Sequence, residues 1–289
     1  MIRARILGSM AESFEVEAGG ARFAGEIVGD DALPVVVFLH AGVADRRMWG
    51  GEMAAVSAAA YRGVAYDRRG FGETQCEPDA PFSHVDDLAA VLDHLGVASA
   101  LALVGSSQGG RIALDFALAH PGRVNALVLA APAVSGAPPP DDGDLPGEAL
   151  ELLERLERAE EAGDLDQVNA LEARLWLDGP AGLAGRVGDA GLRDLFLSMN
   201  GIALNAPPLT QEWEPPSAYE RLGEVTAPAL VLWGDRDFPH LAARCAHLVA
   251  NLSGGAEGHC LTDTAHLPNL ERPDAFRAWL LGFLERHRP

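Results

Sequence analysis

Short, nearly continuous apolar runs recur along this chain, with helical patterns between them: PVVVFLH (34–40), GVAYD (63–67), ALALVG (100–105), NALVLAA (125–131), PALVLWG (228–234) and EGHCL (257–261). A strand that is apolar at successive positions must be covered on both faces, because neighbouring side chains point to opposite sides of a sheet. The intervening helices supply those covers, so the pattern predicts an α/β protein with a mostly parallel, doubly wound sheet. Before these runs, SFEVEAGG and ARFAGEIVG alternate polar and apolar residues around Gly19-Gly20, which predicts a hairpin at an antiparallel edge.

The rhythm breaks after Ala131. The stretch APAVSGAPPPDDGDLPG is too rich in Pro, Gly and Asp for regular structure and leads into helical patterns. Leu150, Leu153, Leu156 and Ala159 recur at helical spacing, and Asp164 is placed to cap a second helix bearing Val168, Leu171 and Leu175. Strand signals return only at Pro228. The reading is a core domain over 13–134 and 223–289 with a helical cap, or lid, inserted over 135–222. Residues 1–12 read as a tag or disordered N-terminus, since MIRARILGSM fits neither helix nor strand.

Composition excludes several classes of function. A chain of 289 residues with a formal charge of -20 is repelled by nucleic acid and by anionic membranes, so neither is an expected partner. No apolar run is long enough to span a bilayer and no signal-peptide order opens the chain, which gives a cytoplasmic expectation. Cys76, Cys245 and Cys260 lack Cys-x-x-Cys spacing and read as buried or semi-buried thiols. No histidine pair has metal-ligand spacing, so neither a metal nor another cofactor is expected. The sequence contains no lysine. That removes Schiff-base chemistry, lysine-bearing phosphate loops and Ser-Lys nucleophile pairs.

The segment LALVGSSQGGRIALDFALAHPG (101–122) passes from a buried strand pattern to an amphipathic helix and holds its polar cluster at the junction. Gly105, Ser107 and Gly109 form G-x-S-x-G, in which a serine on a sharp turn needs neighbours without bulky side chains. Ser106 occupies the variable position. A serine hydroxyl attacks a carbonyl only when a base takes its proton, and the base needs a carboxylate to fix its tautomer. Asp235 and Asp237 follow one later strand pattern and His266 follows the next, in the acid-then-histidine order that this architecture uses.

Four stretches, FLHAGVADRRMW, YDRRGFGET, VGSSQGG and the pair WGDRDFP with TAHLPNLERP, together resemble the α/β-hydrolase superfamily. The resemblance is to its Ser-nucleophile branch with a helical cap, which holds carboxylesterases, enol-lactonases, carbon-carbon bond hydrolases and perhydrolases. It implies Ser107 as nucleophile, His266 as base and Asp237, rather than Asp235, as acid. It also implies an oxyanion hole from the amide of Gln108 and one from Gly42 or Val43. The chain departs from the commoner His-Gly opening by placing Ala41 between His40 and Gly42. His40 reads as a structural residue, and so does the Asp67–Gly70 stretch. By the same resemblance, a carboxylate in place of Ser107 at the elbow between strand and helix would mark a haloalkane dehalogenase or epoxide hydrolase, and the serine sets both aside.

The expected reaction is hydrolysis of a small carboxylic ester or lactone through an acyl-enzyme, by a monomer or homodimer. Leu175, Trp176, Met199 and Trp213 are the expected substrate-facing cap residues, giving an apolar roof, with Arg174 and Arg186 available to a carboxylate. Two other readings use the same residues. One is a carbon-carbon bond hydrolase or cofactor-free perhydrolase with the same triad, and the other is a small-molecule receptor on the same fold.

Overall fold

The apolar runs become the strands of one mixed sheet in the computed structural model, which describes residues 11–140, 145, 147–213 and 215–288. In chain order the strands are β1 (Glu12–Ala18), β2 (Ala21–Val28), β3 (Val35–Leu39), β4 (Arg62–Tyr66), β5 (Gln75–Cys76), β6 (Ala102–Ser106), β7 (Leu127–Ala130), β8 (Ala229–Gly234) and β9 (Ala256–Leu261). Their spatial order is β1-β2-β4-β3-β6-β7-β8-β9, with β5 against β2. Neighbours from β4 to β9 run parallel, whereas β2 pairs antiparallel with β1, β4 and β5. The Gly19-Gly20 turn therefore closes the expected edge hairpin. The expectation for residues 1–10 lies outside the described residues, and β1 begins at Glu12, just ahead of the expected core boundary.

Alternation explains the continuous apolar runs. Val37, Leu39, Leu103, Leu127, Leu129 and Val231 enter one buried cluster, while Val36, Phe38, Val104, Val128, Leu230 and Leu232 enter the other. The first face is covered by α2 (His84–His94), α3 (Gln108–Ala119) and α7 (Pro239–Asn251). The second is covered by α1 (Gly50–Ala58) and α9 (Pro273–Arg286), which follows the short α8 (Pro268–Glu271). Each fully buried aliphatic or phenyl side chain stabilises the sheet by about 1.5–3 kcal/mol. This is what fixes the carboxyl ends of the strands, where the connecting loops emerge.

Between β7 and β8 the chain carries α4 (Gly147–Ala162), α5 (Leu165–Trp176) and α6 (Ala190–Leu204). Asp164 caps α5 by accepting from the Gln167 amide at 3.1 Å. Val168, Leu171 and Leu175 face inward as expected, and in α4 Leu153 and Leu156 pack half-buried against the same cluster, but Leu150 does not belong to the buried face. Ala149, Leu152 and Ala159 are its buried residues, and Leu150 is exposed. The cause is the neighbour: α4 packs against α5 and the α7 residue Leu241, with Phe238 beside it, and those contacts set the rotation of the helix. The thiols also depart from expectation in one case, for Cys245 is buried and Cys76 half-buried, but Cys260 is exposed on the edge strand.

Candidate active site

Ser107 stands between β6 and α3 with φ 50° and ψ -115°, a conformation that L-residues avoid at a cost of about 1–3 kcal/mol. Its carbonyl accepts from the amides of Gly110, Arg111 and Ala133, and its own amide donates to the Ala130 carbonyl at 2.9 Å. These bonds hold the turn in its strained state. The flanking glycines are required by close approach: a Cβ on Gly105 would lie 2.3 Å from the Gly109 carbonyl oxygen, and one on Gly109 would lie 2.1 Å from that of Leu39. Gly109→Ala is accordingly expected to destabilise the fold by about 3 kcal/mol or more, because the obstructing atoms are backbone; a thermal melt within a few degrees of the parent would contradict this. Ser106 is fully buried in β6, and its hydroxyl has no partner among the described residues.

The loops after β8 and β9 bring Asp237 and His266 together. His266 Nδ1 lies 2.7 Å from Asp237 Oδ2, with the two side chains only 5% and 1% exposed. Asp237 Oδ1 accepts from the Phe238 amide at 2.8 Å, so the carboxylate is held at both oxygens. Asp235 does something else. It accepts from the Thr264 amide at 3.3 Å and ties the two loops to each other. Glu271 in α8 accepts from the amides of Ala265 and Leu267, on either side of His266, at 2.8 and 3.1 Å. Trp176, at the end of α5, stacks at a tilt on the His266 ring with centroids 4.7 Å apart.

The loop after β3 approaches the serine from the other side. His40 is buried, and its Nε2 accepts from the Arg68 amide at 3.0 Å while Nδ1 donates to the Ala41 carbonyl at 2.8 Å. Burial, with the Arg68 charge added, holds this ring well below the usual histidine range, so it is neutral and structural. Arg68 is buried without a carboxylate in ion-pair contact among the described residues; burial pulls its guanidinium down to about 10. It donates to Gln108 Oε1 and to the Ala41 carbonyl, each at 3.2 Å. Neighbouring Arg69 instead pairs with Asp87 at 2.8 Å. The Gln108 side chain lies against Gly42, where a Cβ would meet Gln108 Cδ at 2.8 Å. The amides of Gly42, Val43 and Gln108 have no acceptor among the described residues.

Gly42, Val43, Ser107, Gln108, Trp176 and His266 line a cavity of about 190 Å³, together with Glu172. Asp237 stands behind His266. Of the expected cap residues only Trp176 reaches this cavity. Leu175 is buried with Phe238 and Leu241, Met199 packs into the core cluster under the inserted helices, and Trp213 is 56% exposed. They face away because the inserted helices present one edge to the serine and bury the rest of their apolar surface in each other and the core. Arg174 donates to the carbonyls of Gly179 and Gly182, and Arg186 to those of Leu177, Asp178 and Asp263 and to the Glu271 carboxylate, so neither lines the cavity. Glu172 was not expected. Its sequence signal was its place one helical turn before Trp176, which puts both on one face of α5. Burial pushes its carboxyl above the usual range, against the lowering effect of the Asn200 hydrogen bond.

Larger hollows occur at the β1–β2 turn, about 400 Å³, and beside Pro138–Pro140, about 420 Å³, but neither contains a serine. Among the described residues there is no group of three or more His, Cys, Asp or Glu able to hold a metal ion. None of their helices is long and apolar enough to cross a membrane.

The model of the Alpha/beta hydrolase family matches residues 36–279. This chain belongs to the alpha/beta hydrolase family. It is 29% identical over 267 residues, 89% of this chain and 88% of the relative, to a 2-hydroxy-6-oxononadienedioate/2-hydroxy-6-oxononatrienedioate hydrolase of Burkholderia vietnamiensis. Among solved structures it is similar to the carboxylesterase CesB of Bacillus subtilis, with TM-score 0.72 and 20% identity over 96% of this chain and 92% of that one. It is also similar to the enol-lactonase of Burkholderia xenovorans LB400, with TM-score 0.69 and 24% identity over 94% and 99%. The alpha/beta hydrolase described here is thus an enzyme of the hydrolase type on the expected α/β fold.

Proposed function

We propose that this alpha/beta hydrolase cleaves a small carboxylic ester or lactone through an acyl-enzyme on Ser107. Ser107 Oγ attacks the carbonyl carbon as His266 Nε2 takes its proton. The oxyanion receives hydrogen bonds from the Gln108 amide and from the amide of Gly42 or Val43. Collapse expels the alcohol, which takes the proton back from His266, and water attacks the acyl-enzyme with His266 again as base. Asp237 holds Nδ1–H toward itself and leaves Nε2 free for the serine. The helices over 147–204 act as the cap. The observation that carries this reading is the single cavity shared by Ser107, Gln108 and the Asp237-bonded His266.

A second reading, carbon-carbon bond hydrolysis, draws on relatives named for dienoate and dienedioate substrates. Such substrates carry one or two carboxylates. Among the described residues no arginine lines the cavity, and Glu172 does, which favours an uncharged ester. Hydrolysis of p-nitrophenyl esters of increasing acyl length tests the choice. Turnover greatest for short acyl chains is expected from so small a cavity, whereas no turnover of any ester would remove the ester reading.

Arg68 adds a positive charge behind the proposed oxyanion hole and steadies Gln108. Arg68→Met is expected to lower kcat/KM by about tenfold, through loss of that field and of the Gln108 contact. Its melting temperature should be unchanged or raised, since a buried charge without a carboxylate partner is replaced by an apolar chain of similar length. A variant that loses stability and keeps its activity would show that Arg68 serves only packing.

A further inference from the structure

The lining of a serine site settles what can occupy it, and here that lining carries one unexpected charge. Glu172 is half-buried on α5 and shares the cavity with Ser107, Gln108 and His266. Its Oε2 accepts from Asn200 Nδ2 of α6 at 2.6 Å, and the same amide nitrogen donates to Asn169 Oδ1 at 3.0 Å. Asn169 in turn donates to the Leu197 carbonyl at 2.9 Å. The carboxyl group is therefore held in place by a short hydrogen-bonded chain between two helices. Its second oxygen has no hydrogen-bond donor among the described residues, and no arginine or histidine forms an ion pair with it there.

A fixed carboxylate oxygen without a protein donor, at the edge of a small cavity, accepts a hydrogen bond from whatever fills that cavity. We propose that Glu172 is the specificity-determining residue of this site, selecting esters or lactones that carry a hydroxyl or ammonium donor near the cleaved bond and rejecting those that carry a carboxylate there. The inference rests on the serine-hydrolase reading above and deepens it by naming the substrate class. A donor-bearing substrate replaces the water lost by Glu172 on binding, so it escapes the penalty of an unpaired buried oxygen. A purely alkyl substrate incurs that penalty. A carboxylated one meets like charge and binds only if a proton is taken up between the two groups.

The test compares kcat/KM for two matched series with the full-length enzyme and Glu172→Gln. On the alcohol side the substrates are 4-ethylphenyl, 4-(hydroxymethyl)phenyl and 4-carboxyphenyl acetate. On the acyl side they are p-nitrophenyl butanoate, 3-hydroxybutanoate and hemiglutarate. In at least one series the parent enzyme should prefer the hydroxyl ester to the alkyl ester and disfavour the carboxylate ester by about tenfold or more. Glu172→Gln should raise the carboxylate-to-alkyl ratio of kcat/KM by about tenfold and lower the hydroxyl-to-alkyl ratio toward one. A parent enzyme that takes carboxylate and alkyl esters equally in both series overturns the proposal, whatever the variant does. So does a Glu172→Gln enzyme with the parent's carboxylate-to-alkyl ratio. Absence of turnover on every ester overturns the ester-hydrolase reading and this proposal with it.

Discussion

Ser107→Ala is expected to lower ester hydrolysis by about 10⁴-fold or more in kcat, with melting temperature close to the parent and KM little changed. The side chain contributes no packing that an alanine would lose, because the bonds that hold the turn are made by the Ser107 amide and carbonyl. Removing the hydroxyl leaves the proposed oxyanion donors and the cavity intact, so binding survives and the acyl transfer step does not. Ser106→Ala supplies the positional comparison. Its hydroxyl is sealed in β6 without a partner among the described residues, and the substitution should leave kcat within about twofold while stability holds or rises slightly, since an unsatisfied buried group is removed. Equal losses from the two substitutions would mean that the elbow, not its serine, had been damaged.

The second large effect concerns the aspartates after β8. Asp237→Asn is expected to reduce kcat by about 10⁴-fold while leaving the fold in place, because an amide opposite Nδ1 favours the wrong imidazole tautomer and stabilises no positive charge. His266 then presents N–H rather than a lone pair to Ser107. Asp235→Asn should cost about 1 kcal/mol or less of stability and only a few-fold in rate, since Asp235 makes one long hydrogen bond between loops. Measuring both variants by steady-state kinetics beside a thermal melt separates the roles. A greater loss of rate at Asp235 than at Asp237 would reverse the assignment.

Much of the fold was legible because strand burial on two faces writes itself as continuous apolar residues, and Val36 to Leu39 send alternate side chains to the two clusters that such a run implies. The elbow was legible for a related reason. Gly105 and Gly109 sit where backbone approaches within a distance that admits no side chain, and sequence can meet that demand only with glycine. The inserted helices were harder. An amphipathic helix reveals that it has a buried face but not which neighbour covers it, so Leu175 and Met199 read as pocket residues and are packed in interhelical and core clusters instead. Trp213 failed differently, as an aromatic residue in an irregular segment that leaves it exposed. Glu172 was missed because a carboxylate on a charged helix looks like one more solvated side chain. Only the placement of α5 over the serine distinguishes it from the glutamates of α4.

Arg68 has the same character. Beside Arg69 in sequence it reads as one of an equivalent pair, yet Arg69 is neutralised by Asp87 and Arg68 reaches instead toward Gln108. Which arginine meets a carboxylate depends on α2, which supplies Asp87 from elsewhere in the chain. Long-range packing decides such matters, and local sequence does not encode them.

In the proposed mechanism a covalent acyl group resides on Ser107 during turnover. The most direct measurement is intact-protein mass spectrometry of the His266→Ala enzyme after exposure to p-nitrophenyl acetate, followed by peptide mapping of any adduct. With an activated ester the serine can still be acylated slowly, while water lacks the base it needs for deacylation. One acetyl group per chain, mapped to Ser107 and absent from a Ser107→Ala, His266→Ala double variant, is the predicted result. An adduct on another residue, or a double variant that hydrolyses the ester as fast as the parent enzyme, would rule out the Ser107 acyl-enzyme.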